Sequence, residues 1–361
     1  MYAKKVLEDF QKQINPLINE YFDKKILEAE KIYPQTALEA LKVYRDVTTR
    51  GAKRARAAFA YMTYKMYGGT NLDEALKMGI VLELVHSYLL ILDDFMDDSN
   101  IRRGDPTAHI MFKDYAKKHN FQSMDKSHFG ESLAVTIAAA GFHMAMQILN
   151  ELKFNDDVIE RLSQNLNQKI EITAYGQIID VANAASQNSS EEDVLKMLEW
   201  KTGVYTYENP IHIGAIMAGA DSPKELKALS EYAIPAGIAF QIQDDILGVF
   251  GKEEELGKSV KSDIAEGKYT LLVNYALEKG DSVQQEFLRS MLGNKSISDK
   301  ELEQVRDIFI STKALERSRE KAHELVLKAK GSLVKNHNPI WKSEGLDYLN
   351  GIAEYMIERK L

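Results

Sequence analysis

Residues 72–97 read LDEALKMGIVLELVHSYLLILDDFMD, an apolar stretch that ends in three aspartates. Leu76, Ile80 and Leu84 recur every four residues, and this spacing predicts a helix. The unbroken run Leu89–Leu92 follows, so we expect a helix that is buried on most sides. The fold is therefore predicted to be built around this helix, with carboxylates at its C-terminal end.

Helical spacing continues along the chain, and strand-like alternation is scarce. Only 7 of the 361 residues are proline, which also favours long helices. We expect Asn71 or Thr70 to cap the helix at 72–97. The sequence predicts an all-α fold, a single domain over residues 1–361 with ten or more helices, in which 298–361 is a C-terminal helical extension. The other helices are expected at about 3–30, 36–48, 52–67, 107–118, 130–150, 156–182, 191–219, 223–248, 268–280, 282–293, 298–330 and 343–359.

Composition narrows the class of protein. The chain has no cysteine, which excludes disulfides, thiolate metal sites and a cysteine nucleophile and fits a reducing compartment. A net charge of −8 disfavours nucleic-acid binding. Met1–Asn15 is charged throughout, unlike a secretory signal, and the apolar run Leu133–Leu149 is shorter than a typical membrane span. We expect a cytoplasmic protein that neither spans a membrane nor binds nucleic acid.

The first aspartate cluster has the spacing of a metal site. Asp93 and Asp97 are four residues apart, so they share a helix face, and Asp94 lies beside them. Like charges repel there, and the helix dipole disfavours anions at a C-terminus. A cation that shares both carboxylates removes this cost, and hard oxygen ligands suit Mg²⁺. The alternative is a solvated acidic helix end.

Cations flank this cluster on both sides. Arg102 and Arg103 begin five residues after Asp97, and an arginine pair can clamp phosphate groups. Upstream, Lys53 and Arg56 are three residues apart and are predicted to share one helix face. The alternative for this upstream segment is an exposed basic face.

A second acidic cluster follows another apolar run. Ala233–Phe240 leads into Gln241 and then Asp244–Asp245, as Leu89–Leu92 leads into Asp93. Two buried helices that end in adjacent aspartates suggest two carboxylate walls around one site. Lys258 and Lys268 follow in a loop that could close over a diphosphate, or they are solvated loop lysines.

Five ordered motifs resemble the trans-type polyprenyl diphosphate synthases, which include farnesyl and geranylgeranyl diphosphate synthases. The resemblance covers roughly residues 51–272. It implies the isoprenoid synthase fold, in which the helices surround a central cavity, and a homodimer. The motifs are Asp-Asp-x-x-Asp with Arg-Arg-Gly-x-Pro-Thr at 93–107, Gly-Gln-x-x-Asp at 176–180, Lys-Thr-Gly at 201–203, Gln-x-x-Asp-Asp-x-x-Gly at 241–248, and Asp-Ile-x-x-Gly-Lys-x-Thr at 263–270.

The resemblance implies a reaction and a role for each matching residue. Isopentenyl diphosphate is condensed with an allylic diphosphate by ionisation, condensation and elimination, and diphosphate is released. Three Mg²⁺ ions are implied for each active site, bound by Asp93, Asp97 and Asp244 with Asp94 and Asp245 in support. The allylic diphosphate is assigned to Arg102, Lys201, Thr202, Gln241, Lys258 and Lys268, and isopentenyl diphosphate to Lys53, Arg56, His86 and Arg103.

The chain departs from the family pattern at a few positions. Ala52 and Ala57 replace a glycine and a proline beside the basic segment, which alters the backbone more than the charge. Ser262 replaces the glycine before Asp-Ile. Gly248 ends the second acidic motif, where some members have aspartate, and leaves fewer carboxylates.

Product length in the family depends on bulky residues four and five positions before the first aspartate. Leu89 and Tyr88 hold these positions. One aromatic residue at minus five with a short first motif resembles archaeal-type geranylgeranyl diphosphate synthases. The predicted product is therefore C20, and C15 is the alternative.

Other functions were weighed against this one. A class I terpene cyclase would carry an Asn-Ser-Glu-type second motif and no site for isopentenyl diphosphate. A di-iron carboxylate bundle could use Glu83-x-x-His86 and Glu320-x-x-His323, although the second pair lies in a charged, surface-like segment. A catalytically silent partner subunit would be expected to lack aspartates that this chain retains.

Overall fold

The computed structural model describes residues 2–253, 257 and 259–358, and over these residues loops connect helices and one short hairpin supplies the only strands. The all-α fold is therefore confirmed. Strand β1 (Ile101–Arg102) pairs antiparallel with β2 (Asp105–Pro106), and a π-helix spans Glu199–Glu208. The α-helices are α1 Tyr2–Ala29, α2 Gln35–Thr49, α3 Ala55–Met66, α4 Leu72–Met96, α5 Ala108–Lys118, α6 Lys126–Asn150, α7 Asp156–Ser186, α8 Glu191–Leu198, α9 Asn209–Met217, α10 Pro223–Phe250, α11 Ser262–Ala265, α12 Leu271–Lys279, α13 Ser282–Met291, α14 Asp299–Ser311, α15 Ala314–Lys335 and α16 Ser343–Ile357.

The chain groups into two compact units. The first unit comprises Lys5–Tyr61 and Asn71–Ile159, and the second comprises Met1–Lys4, Met62–Thr70 and Glu160–Leu361. The expected C-terminal extension after residue 298 belongs to the second unit. The single domain over residues 1–361 stays a prediction.

The first unit is organised by α4, which packs along α6. The hydroxyl of Tyr44 on α2 donates to the carbonyl of Leu84 on α4 at 2.6 Å. Gly141 on α6 makes room for this tyrosine, because a Cβ there would lie 2.2 Å from the Tyr44 hydroxyl oxygen. These contacts pack α4 against both α6 and α2 and fix the direction in which its acidic end points.

The second unit is organised by α10, which packs against the π-helix and α15. Gly237 on α10 meets Gly203 on the π-helix, and a Cβ at residue 237 would lie 2.6 Å from the Gly203 Cα. Two glycines thus allow the backbones to touch. This close approach fixes how α10 and the π-helix are aligned, and it therefore determines which of their other side chains contact each other.

Two long predicted helices are interrupted. The helix expected at 191–219 is α8, the π-helix and α9, because the residues at 199–208 pair with wider hydrogen-bonded rings. The helix expected at 298–330 breaks between α14 and α15, where Lys313 has a φ of +59°. The prediction of two continuous helices was therefore wrong. Apolar residues keep a helical spacing through both interruptions, and so this spacing does not reveal them.

Several helix starts also differ from the prediction. α6 begins at Lys126 instead of residue 130, because the Asp125 carboxylate accepts hydrogen bonds from the backbone N–H groups of Ser127 and His128. α3 begins at Ala55, later than the expected residue 52. At α4, Asn71 occupies the N-cap but its side chain makes no capping hydrogen bond.

Two helices, α4 and α6, are long and apolar enough to cross a membrane, contrary to the expectation from Leu133–Leu149. Length and composition alone are weak evidence, because the core helix of a globular protein shares them. The apolar window of α4 is 61% buried, as expected for such a core helix.

Candidate active site

The acidic end of α4 is tied to the hairpin that follows it. The Arg102 Nε donates to Asp94 Oδ1 at 2.7 Å, and the Arg102 Nη2 lies 3.6 Å from Asp93 Oδ2. The backbone N–H of Asp97 donates to the carbonyl of Asp93 at 2.8 Å, so Asp93 and Asp97 share a helix face as predicted. Arg102 therefore contacts both Asp94 and Asp93, and Asp93 and Asp97 are the pair that shares one helix face.

Asp94 differs from its neighbours in burial. Its side chain is buried, and this burial raises the pKa of Asp94 to about 6, with Asp93 and Asp97 acting in the same direction and Arg102 opposing them. The supporting role predicted for Asp94 fits this arrangement.

The donor chemistry fits Mg²⁺. Within the part of the chain that the structure describes, no group of three or more His, Asp or Glu side chains could hold a metal by itself. Mg²⁺ is commonly held by one or two carboxylates, with water and phosphate oxygens completing its octahedron. A pair of aspartates beside arginines is such a partial ligand set.

Arginines and a histidine cluster beside α4 in the first unit. Arg56 Nη1 lies 3.4 Å from His86 Nε2. Burial lowers the pKa of His86 well below its usual value, and Arg56, Arg103, Arg54 and Arg102 add to the effect, in that order. The imidazole is therefore neutral among cations, and three of the four residues predicted for isopentenyl diphosphate lie in one electrostatic environment.

Arg103 is held by the basic segment. It has a φ of +56°, and its Nη1 donates to the carbonyl of Arg50 at 2.8 Å. Burial lowers the pKa of Arg103 to about 10, so the guanidinium remains charged at neutral pH.

Lys53 does not share a helix face with Arg56, and that prediction was wrong. Lys53 is exposed and precedes α3, which begins at Ala55. Its carbonyl instead accepts a hydrogen bond from Gln11 Nε2 at 2.8 Å. The segment is a loop because two residues, Gly51 and Arg54, have positive φ.

In the second unit, α7 and the π-helix meet at Gly176. A Cβ at residue 176 would lie 2.4 Å from the backbone nitrogen of Lys201. One turn further along α7, the carboxylate of Asp180 pairs with Lys201 Nζ at 2.6 Å. The predicted phosphate ligand Lys201 is thus oriented by Asp180.

A hydrogen-bonded chain joins the π-helix to the second acidic cluster. Thr202 Oγ1 donates to Gln241 Oε1 at 2.9 Å, and Gln241 Nε2 donates to Asp245 Oδ1 at 2.8 Å. Burial raises the pKa of Asp245 to about 8, and Asp263 contributes. Three predicted site residues are therefore in contact, and Asp244 adjoins them in the chain.

Lys268, in the loop that follows Asp263, contacts acidic residues of the second unit. Lys268 Nζ lies 2.9 Å from Glu266 Oε2 and 4.0 Å from Asp263 Oδ1. Lys268 therefore lies beside Glu266 and Asp263, and its assignment to the allylic diphosphate stays a prediction. The other predicted loop cation, Lys258, falls outside the described residues.

Comparisons with known proteins identify the family. The sequence model of the family described as polyprenyl synthetase matches residues 39–309. The chain belongs to the polyprenyl synthetase family. It is a prenyltransferase enzyme.

Individual relatives span nearly the whole polyprenyl synthetase. A short chain isoprenyl diphosphate synthase of Methanothermobacter thermautotrophicus is 33% identical over 95% of this chain and 96% of that protein. A geranylgeranyl diphosphate synthase of Saccharolobus solfataricus is 30% identical over 86% of this chain and 88% of that protein. The crystal structure of a geranylgeranyl pyrophosphate synthase from Corynebacterium glutamicum, complexed with isoprenyl diphosphate and magnesium, has a TM-score of 0.91 at 26% identity, covering 98% and 99% of the two chains.

Membership of the polyprenyl synthetase family rules out the di-iron interpretation, and local contacts agree. Glu83 pairs with Arg54 at 2.7 Å, and His86 contacts Arg56. Glu320 and His323 are exposed on α15, as their charged surroundings indicated.

Sequence reasoning missed functional candidates in the polyprenyl synthetase that come from distant segments. The ring of Tyr88 contacts that of Phe142 of α6, with 5.3 Å between centroids and 51° between the ring planes. Asp180 and Asp263 belong to two of the motifs, and their contacts with site residues are visible only in the structure. The motif spacing could have identified these two aspartates, whereas no local pattern marks Phe142.

Proposed function

We propose that this prenyltransferase condenses isopentenyl diphosphate with allylic diphosphates and that its product is C20 geranylgeranyl diphosphate. The observation that carries the proposal is the contact between His86 and Arg56 at 3.4 Å, on the helix that carries Asp93 and ends beside Asp97. It supports the proposal that a diphosphate-binding cluster and a partial Mg²⁺ ligand set lie within one unit. The relative from Saccharolobus solfataricus, named for the C20 product, supports the choice of length.

Isopentenyl diphosphate is assigned to Lys53, Arg56, His86 and Arg103. Arginine forks suit phosphate oxygens, and a neutral imidazole can donate one hydrogen bond without adding charge. Burial around Arg103 strengthens its attraction for an anion, because less water screens the charge.

The allylic diphosphate is assigned to Arg102, Lys201, Thr202, Gln241 and Lys268, with Lys258 as a further cation. Asp93, Asp97 and Asp244 would hold Mg²⁺, three ions in each active site, supported by Asp94 and Asp245. When bound, Mg²⁺ supplies positive charge that stabilises the departing diphosphate. The assignment of both acidic clusters to this substrate rests on membership of the family.

The side chains then act on the charge that develops. Arg102 and the lysines stabilise the leaving diphosphate, and the Thr202–Gln241 pair offers oriented dipoles to the allylic cation. The double bond of isopentenyl diphosphate attacks this cation, a new carbon–carbon bond forms, and the released diphosphate accepts the proton that is lost. Apolar residues of α4 keep water from the cation.

Chain length is assigned to the ring pair Tyr88–Phe142. Tyr88 lies five residues before Asp93, and its tilted ring contact with Phe142 joins α4 to α6. A paired aromatic barrier is stiffer than one side chain, which favours a sharp limit to the growing chain. The competing product is C15 farnesyl diphosphate.

We also propose that the enzyme is a homodimer. Tyr175, Ile178 and Val181 are exposed at 49%, 63% and 47% and lie along one face of α7. In the first unit, the apolar window of α6 is only 39% buried. Exposed apolar faces of this kind often mark an interface, and a second copy of the chain is the proposed cover.

We also propose that the enzyme is cytoplasmic, that it does not bind nucleic acid and that it does not span a membrane. The lack of cysteine supports a cytoplasmic location, and the acidic charge supports a protein that does not bind nucleic acid. The burial of α4 supports a helix of the core and not a membrane span.

Product analysis tests the proposal. The protein is incubated with Mg²⁺, isopentenyl diphosphate and each allylic diphosphate from C5 to C15, and products are separated by chain length. Accumulation of C20 is expected. Absence of condensation in folded protein with every primer would refute the reaction, and a C15 end point would refute the assigned length. A cyclic hydrocarbon as the product would instead favour a terpene cyclase.

A further inference from the structure

The connection between α2 and α3 holds the basic segment in an unusual conformation. It runs from Arg50 to Arg54, and both Gly51 and Arg54 have positive φ, +53° and +56°. Glycine adopts this conformation freely, whereas a long side chain such as arginine does so at a cost in free energy. Such a conformation persists only where the surroundings hold it.

The side chain of Arg54 provides that hold. Arg54 is 4% exposed, and its guanidinium reaches three different helices. Nη1 donates to Glu83 Oε2 of α4 at 2.7 Å and to the carbonyl of Thr48 on α2 at 2.8 Å, and Nε donates to Asn15 Oδ1 of α1 at 2.8 Å. Glu83 is also buried, so this is a desolvated ion pair within the first unit.

The pair aligns the loop with the histidine. Glu83 and His86 are three residues apart on α4 and therefore lie on neighbouring turns of one face. Glu83 forms an ion pair with Arg54, and His86 contacts Arg56 at 3.4 Å. Neighbouring turns of α4 therefore bind two arginines of the basic segment. Arg103 is attached to the same loop through the carbonyl of Arg50.

We propose that Arg54 and Glu83 are positioning residues for isopentenyl diphosphate, an inference that rests on the function proposed above. Arg54 does not touch the substrate: its charge is turned inward and satisfied. The ion pair fixes the backbone from which Lys53 and Arg56 project, and it sets the place of Arg103 on that backbone. Loss of the pair therefore weakens the isopentenyl diphosphate site and spares the allylic site.

The test separates the two substrates. Glu83→Gln keeps the shape of the side chain and removes its charge. The KM for isopentenyl diphosphate should rise about tenfold, a loss of roughly 1.4 kcal/mol, while kcat and the KM for the allylic diphosphate change by less than about twofold. Calorimetric binding of isopentenyl diphosphate alone should weaken by the same factor. The matched control is Asp23→Asn, which breaks the exposed Arg45–Asp23 pair of the same unit at 2.8 Å and should change neither KM.

A second variant guards against misfolding. Arg54→Met combined with Glu83→Met removes both charges at similar volume and leaves no buried charge unpaired. A raised KM for isopentenyl diphosphate in the folded double variant would support the proposal that Arg54 and Glu83 position this site. A parental KM in either variant, or an equal change in both KM values, overturns it. Turnover by the parent protein tests the proposed function separately, because it requires no substitution.

Discussion

Asp263 lies directly against Gly248, and a Cβ on residue 248 would stand 1.9 Å from Asp263 Oδ2. Both residues are buried in the second unit. Any side chain at residue 248 would therefore clash with the Asp263 carboxylate in its observed position. The glycine that ends the second acidic motif, in place of an aspartate, also makes room for a carboxylate from fifteen residues later in the chain.

Gly248→Ala should lower turnover at least about tenfold, because the methyl group displaces Asp263 from Asp245 and Lys268. Steady-state kinetics with Mg²⁺ and both substrates measures this. The matched control is Gly331→Ala on α15, where a Cβ would meet nothing within 4 Å. Parental turnover in the folded Gly248→Ala variant would show that the position of Asp263 does not matter for the reaction.

Asp93→Ala and Asp244→Ala should each lower kcat by about a hundredfold or more, since charge stabilisation worth several kcal/mol is lost with the metal ligand. Folding should be retained, because each change removes one of several like charges. Circular dichroism and single-turnover kinetics give the two measurements. Asp105→Ala in the exposed strand β2 is the control. An aspartate whose removal leaves turnover normal has no part in the mechanism.

Tyr88→Ser should lengthen the product beyond C20, and Phe142→Ala should do so as well, because either change removes one ring of the contacting pair. Chromatography of the dephosphorylated products measures the distribution. Tyr33→Ser, at a residue 59% exposed, is the control and should leave it unchanged. If Tyr88→Ser alone lengthens the product, then Phe142 is only a neighbour of the barrier.

Stability should depend on pH through His212. Its Nε2 lies 3.0 Å from Ser230 Oγ, and burial lowers its pKa from 6.5 to about 4. The unfolded chain binds this proton more readily, so the contribution is complete above pH 6.5 and is lost as the pH falls toward 4. At pH 5 the loss is about 2 kcal/mol.

Urea unfolding at pH 7.5 and pH 5 tests this dependence. His212→Gln should be less stable than the parent at pH 7.5, and the difference should shrink by about 2 kcal/mol at pH 5. The exposed His323→Gln should behave like the parent. A difference that stays constant with pH would assign the acid sensitivity to other groups.

The elements that sequence reasoning located are those with a local signal. The apolar spacing before Asp93 and Asp244 predicted the helices that carry them, and motif order predicted the family. The inward turn of Arg54 could not be predicted, because it depends on Glu83 from another helix. Phe142 likewise reaches Tyr88 only through packing of α6 on α4. The π-helix escaped detection because its apolar residues keep a helical spacing while its hydrogen bonds widen.

The π-helix at Glu199–Glu208 also limits which insertions and deletions this segment of the chain can accept during evolution. A one-residue deletion that returned the segment to α-helical pairing would rotate the residues on either side by about 100° relative to each other. Lys201 and Thr202 could not then both keep their partners Asp180 and Gln241. Insertions and deletions that loops tolerate should therefore be absent from these ten residues among working descendants of the enzyme.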